Sequence, residues 1–171
     1  MYHIKNDKRA RASTELICAG LWACMKEKPF ARITITDVQR ASTVSRSTFY
    51  RNFDCLEDAL ALLCDRGFQA VFSEYNALPP ERRGSLAKAV FQYWFRNSAV
   101  LEALVQIHRT DILFDSLRRS SGLIQAPQPM VDDPARFDYF VAIITSSMIG
   151  VLTVWVEHGK TETEDQMVQK L

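Results

Sequence analysis

Residues 33–53 read ITITDVQRASTVSRSTFYRNF. The Thr34 hydroxyl is placed to accept from the backbone N–H of Asp37, and the Asp37 carboxylate to reach back to Thr34, a reciprocal cap that starts a helix. From there Ile35, Val38 and Ala41 recur at a spacing of three. That puts them on one buried face and leaves Thr36, Gln39 and Arg40 on the wet side. Ser42, Thr43 and Val44 break the pattern, and Ser45 is a good N-cap for a second helix whose Phe49 and Phe53 sit four apart. Two helices joined this tightly form a helix-turn-helix, with the N-terminal part of the second free to enter a DNA major groove. The second helix carries the matching chemistry. A guanidinium can grip a guanine edge through two donors and an asparagine amide can pair with adenine, while hydroxyls and a phenol anchor phosphates.

The residues Val44-Ser45-Arg46-Ser47-Thr48-Phe49-Tyr50-Arg51-Asn52-Phe53, within a match over residues 33–60, resemble the TetR/AcrR-type one-component transcriptional regulators. Lys28-Pro29-Phe30 before the first of these helices and Arg51-Asn52-Phe53 at the end of the second resemble the dihydroxyacetone-kinase operon subgroup. The resemblance implies that Arg46, Ser47 and Tyr50 touch base edges or adjacent phosphates, that Thr48, Arg51 and Asn52 make phosphate or base contacts, and that Thr36 meets the backbone. Ser45 belongs to the same set. Two departures stand out. The family commonly has a glycine in the turn where this chain has Thr43, which implies strain, and a lysine at the start of the next helix where it has Leu56, which removes one phosphate contact.

At 171 residues and 47% apolar content the chain is long enough for a sizeable core, as one domain or two small units. Its net charge of +1 is unevenly spread: residues 1–60 hold ten Lys or Arg against seven Asp or Glu, an excess of three at the reading end. Charge alone does not make a nucleic-acid binder here. There is no run of 18 uninterrupted apolar residues, and the start MYHIKNDKRARAS lacks the apolar centre of a secretory signal, so a cytoplasmic protein without a membrane segment is expected. Cys18, Cys24, Cys55 and Cys64 have neither metal-ligand spacing nor a C-x-x-C pair, and free thiols are expected. No metal or cofactor site is read. His3, His108 and His158 are scattered, and no G-x-S-x-G, H-E-x-x-H or P-loop occurs, so the chain does not read as an enzyme.

Ile17, Gly20, Leu21, Cys24 and Met25 follow helical spacing in a first helix that ends at Lys28-Pro29. Lys8, Arg9 and Arg11 precede it and are read as phosphate contacts in a flanking minor groove or as a solvated terminus. Asp54 with Glu57 offers a capping box for a fourth helix, with Leu56, Leu60, Leu63, Gly67 and Val71 as its stripe to about Tyr75. Loops fall at residues 78–84 and 123–133, and two or three helices between them. A long apolar helix at 137–158 stops at Gly159, and Thr163 with Gln166 caps a final one.

The expected architecture is all-α: an N-terminal three-helix bundle with the helix-turn-helix at 1–53, and a helical effector-binding and dimerisation domain at 54–171. The resemblance implies an effector pocket in the latter, with Phe72, Tyr75, Tyr93, Trp94, His108 and Phe114 as candidate lining, although such residues also serve as ordinary core. It implies a homodimer through the last two helices, with Phe140, Ile144, Ser147, Met148, Val151 and Trp155 at the interface, because a helix apolar nearly all round needs cover on more than one side. The function so implied is a regulator, most often a repressor, released from a palindromic double-stranded DNA operator by a small-molecule effector. A competing reading, fed by Thr43, Leu56 and the modest charge, keeps the dimer but replaces the operator with protein partners.

Overall fold

The computed structural model describes residues 2–4, 7–123 and 133–170, and every regular element among them is helical. The loop expected around Pro127 and Pro129 lies outside the described residues. The chain divides into two compact units, Met1–Leu63 and Cys64–Leu171. The division falls inside the fourth helix, whose Ala59, Leu60 and Leu62 are buried.

In the N-terminal unit α1 spans Lys8–Glu27, α2 Ile35–Ser42 and α3 Arg46–Asn52, and α4 (Leu56–Ala77) begins there. The Asp7 carboxylate accepts from the Ala10 N–H at 2.7 Å and caps α1. Lys8, Arg9 and Arg11 are therefore in its first turns, not on an arm ahead of it. Ile17, Leu21 and Cys24 form its buried stripe, together with Thr14 and Cys18. After Glu27 a single 3-10 turn, Phe30–Arg32, tucks Phe30 into the core and leads to α2.

The crossing of α1 and α2 is set by Gly20. A Cβ there would lie 2.8 Å from the Ser42 Cβ, 3.0 Å from the Ser42 N and 3.1 Å from the Val38 O. Only a residue without a side chain lets the two backbones come this close. The inward face of α2 is consequently Val38 and Ser42, at 0% and 4% exposure, while Ala41, expected inside, is exposed. At the start of α4 the Asp54 N–H donates to Asp58 at 2.9 Å, so the capping partner is Asp58 rather than Glu57.

In the C-terminal unit α4 continues to Ala77, followed by α5 (Leu86–Arg96), α6 (Ser98–Gln106), α7 (Asp111–Ser120), α8 (Pro134–Glu157) and α9 (Glu164–Lys170). Ser85 caps α5 and Asp133 caps α8, with Pro134 in the first turn. Helix α8 packs against α5, α6 and α7, and α9 against α5. Residues Ala135–Glu157, at mean hydropathy 1.9, are long and apolar enough to cross a membrane by length and composition, and only 33% of the most apolar window is buried. Its contacts with α5, α6 and α7 cover one side of α8. Gly159 at φ +73° ends it, and the Trp155 indole N–H donates to the Glu162 carbonyl at 3.1 Å, folding the connection back. The Thr163–Gln166 cap forms as expected, with N–H to side-chain distances of 2.9 and 3.4 Å.

Gly20→Ala is expected to destabilise the N-terminal unit by about 1–3 kcal/mol, the range for overpacking a close contact. Gly84→Ala, where nothing lies within 4 Å, is the control. Hydrogen exchange of the α1 and α2 amides reads the difference, and equal protection in both variants would contradict it.

Candidate nucleic-acid interface

Helix α2 starts on the reciprocal cap: the Thr34 N–H donates to the Asp37 carboxylate at 2.8 Å and the Asp37 N–H to the Thr34 hydroxyl at 3.2 Å. The Lys28 ammonium sits 2.8 Å from the same carboxylate. Hydrogen bonding to Lys28 and then to Thr34 holds the Asp37 carboxyl well below the usual carboxylate range. Thr36 is exposed one position into the helix. At its other end Thr43 is left-handed, φ 57° and ψ 17°, where a β-branched residue costs on the order of 1–2 kcal/mol. Its hydroxyl donates to the Ser42 carbonyl at 2.7 Å.

The turn delivers Ser45, whose hydroxyl accepts from the Thr48 N–H at 3.2 Å and caps α3. The Ser47 and Thr48 hydroxyls lie 3.0 and 2.9 Å from it, so three hydroxyls gather at the start of the helix. Beside them the Arg46 guanidinium lies 5.5 Å from the centre of the Tyr50 ring and donates to its hydroxyl at 3.3 Å. Arg46, Ser47, Tyr50 and Arg51 are exposed, whereas Phe49 and Phe53 are buried with ring centres 5.6 Å apart.

Asn52 is not on the reading face. It is 1% exposed, and its amide donates to the Thr48 carbonyl at 2.8 Å and to the Ser13 hydroxyl of α1 at 3.5 Å. The α3 side that fastens to α1 takes it in. A groove of about 740 Å³ opens between the start of α1 and the end of α3, and brings Lys8 and Arg9 together with Ser13, Thr48 and Arg51. Asp7 also borders it, with one carboxylate oxygen engaged by the Ala10 N–H. Three cations around a recess of this size suit a phosphate backbone. The gathering of the α1 cations with Arg51 was invisible in the sequence, where they stand more than 40 positions apart.

The six residues expected to line one effector pocket do not converge. Phe72 borders a cavity of about 200 Å³, Tyr75 and Tyr93 a separate recess of about 460 Å³, and Phe114 a third of about 320 Å³. Trp94 is 1% exposed, with its ring centre 5.2 Å from that of Phe68, which in turn stacks on Phe72 at 6.2 Å. These rings pack on one another instead of facing a common space. His108 lies exposed in the turn after α6 at φ 56°, and the neighbouring Arg109 guanidinium is committed to Asp111 through bonds of 2.9 to 3.1 Å.

Of the interface candidates on α8, Ile144 and Ser147 are exposed, Phe140 and Val151 half-buried, and Met148 and Trp155 are buried at 6% and 5% within their own unit. Met148 and Trp155 face inward because α5, α6 and α7 cover that side. The outward apolar residues are instead Tyr139, Ile143, Ile144 and Val154. Burial pushes the thiols of Cys24, Cys55 and Cys64 up, away from the reactive thiolate form. Among the described residues no group of three His, Cys, Asp or Glu is placed to hold a metal ion.

Compared with solved structures, the chain is similar to a TetR transcriptional regulator from Streptococcus agalactiae 2603V, with a TM-score of 0.59 over 96% of this chain and 93% of that one, at 19% identity. The fold is TetR-like. No protein-family model and no curated protein matches the sequence.

Two outcomes follow from the hydrogen bonds around α2 and α3. Because the Asp37 carboxyl is depressed in the folded protein, its stabilisation is present above the unfolded value of about 3.9 and is lost as the pH falls below it. Asp37→Asn is expected to speed α2 amide exchange at pH 7, with the gap from the unsubstituted protein closing as the pH is lowered through about 4. A gap that widened in acid would reverse the assignment. Asn52→Ala is expected to lower stability by about 1–2 kcal/mol, and Arg51→Ala to change it by less than about 0.5 kcal/mol, in urea unfolding.

Proposed function

We propose that this chain is a DNA-binding transcriptional regulator, acting as a cytoplasmic homodimer whose two α3 helices read successive major grooves of a palindromic operator. The observation that carries this is the split personality of α3: Phe49, Asn52 and Phe53 hold it to the unit while Arg46, Ser47, Tyr50 and Arg51 face out from a Ser45-capped start. Ser45, Thr48 and Thr36 supply hydroxyls for phosphates, and Lys8, Arg9 and Arg11 extend the cationic surface along α1. Asn52 supports that helix and makes no base contact.

Dimerisation is supported by the outward face of α8. Tyr139 and Ile143 are 73% and 65% exposed, Ile144 and Val154 join them, and Ser147 and Gly150 leave room for a second helix to approach. In this mode the chain works as a repressor, and a small molecule bound in the C-terminal unit releases it, with α4 as the element that begins in one unit and ends in the other. The subgroup resemblance of Lys28-Pro29-Phe30 and Arg51-Asn52-Phe53 fits this reading.

A mobility-shift titration on the chain's own upstream DNA at two salt concentrations tests the proposal. Specific binding is expected, weakened more than about 10-fold in an Arg46→Ala, Tyr50→Ala double variant, since a bidentate base contact is worth about 1–3 kcal/mol of discrimination. Arg51→Ala is expected to weaken all sequences alike and to lower the salt slope by about one. Only non-specific binding with the dimer intact would turn the function toward protein partners.

A further inference from the structure

We propose that the cavity enclosed by α4, α5, α7 and α8 is a binding site for a small, uncharged, apolar molecule the size of one substituted aromatic ring. Phe72 of α4, Leu86 and Val90 of α5, Leu117 of α7, and Val141 and Met148 of α8 form its walls. None of its eleven lining residues carries a charge. Its two polar side chains are hydroxyls: that of Ser85 accepts from the Lys88 N–H as the cap of α5, and Thr145 is 2% exposed.

Size and chemistry together select the occupant. The volume is about 200 Å³. An apolar cavity of about 150 Å³ lined by Leu, Ile and Phe stays dry and accepts benzene, so this one has room for a ring with one or two methyl groups. A carboxylate or ammonium on the same ring would enter without a countercharge and with only the Ser85 and Thr145 hydroxyls to replace its hydration, which disfavours it by more than about 100-fold. The tyrosine-lined recess beside it, which contains Glu74 and Arg96, has the polar chemistry that this cavity lacks. Phe72 couples the site to the rest of α4, because its ring stacks on Phe68 one turn earlier in the same helix.

The consequence for DNA rests on the regulator reading above, but occupancy is read without DNA. Heat unfolding of the full chain in sealed cells with toluene, beside benzoate at the same concentration, is the first experiment. Toluene at about ten times its Kd is expected to raise the melting temperature by about 3–5 °C, and benzoate to leave it unchanged. Ala87→Phe, which places a ring in the cavity, is expected to stay helical and to lose the toluene shift. Nuclear Overhauser contacts from toluene to the Met148 methyl locate the ligand in the unsubstituted protein, whatever that variant does. No toluene shift, an equal shift with benzoate, or a shift retained in folded Ala87→Phe would overturn the site. Binding that leaves operator affinity unchanged would uphold the cavity and remove it from the regulation.

Discussion

The missing side chain at Gly20 is the constraint on which the N-terminal unit depends. With the Ser42 backbone N only 3.0 Å from where a Cβ would stand, α1 and α2 lie closer at this point than any side chain on residue 20 would allow. That closeness buries Ser42 and ends α2 there, and the chain must then reverse within three residues to reach Ser45. The reversal requires one left-handed residue, and Thr43 takes it. The strain at Thr43 and the direction of α3 are thus downstream of a contact in the middle of α1.

Helix α3 is only seven residues long, too short to persist by propensity. It survives because each end is tied and one side is fastened: the Ser45 cap at the front, the Phe53 N–H to the Phe49 carbonyl at the back, and Asn52 against Thr48 and Ser13. A helix anchored this way presents its other side as a fixed surface. The arrangement explains why a polar residue is buried next to an exposed arginine: the amide satisfies itself within the unit and stabilises the platform that Arg51 stands on.

Much of this was legible in the sequence because caps are local. Thr34 with Asp37, Ser45 with Thr48, Thr163 with Gln166 and Gly159 each act within a few positions, and each formed where read. Apart from the start of α4, where Asp58 and not Glu57 engages Asp54, what failed was non-local. Over eight residues a spacing of three and one of four both describe a face, and only Gly20 on another helix decides between Ala41 and Ser42. Asn52 has the chemistry of a base reader, and its burial depends on Ser13, 39 positions away. An apolar helix such as α8 carries no phase signal to tell Met148 and Trp155 from Ile143 and Val154. Aromatic residues drew attention as pocket lining, yet rings that stack on each other leave no space, and the uncharged cavity is walled largely by aliphatic side chains from four helices.

The pairing of Arg46 with Tyr50 has an entropic side. Fixing a free arginine side chain costs about 2 kcal/mol of rotamer entropy, and the ring contact and hydroxyl bond to Tyr50 restrict part of that freedom in Arg46 before any partner arrives. In the proposed regulator such a side chain would meet the groove already aimed, so that less of the contact energy would be spent on ordering it.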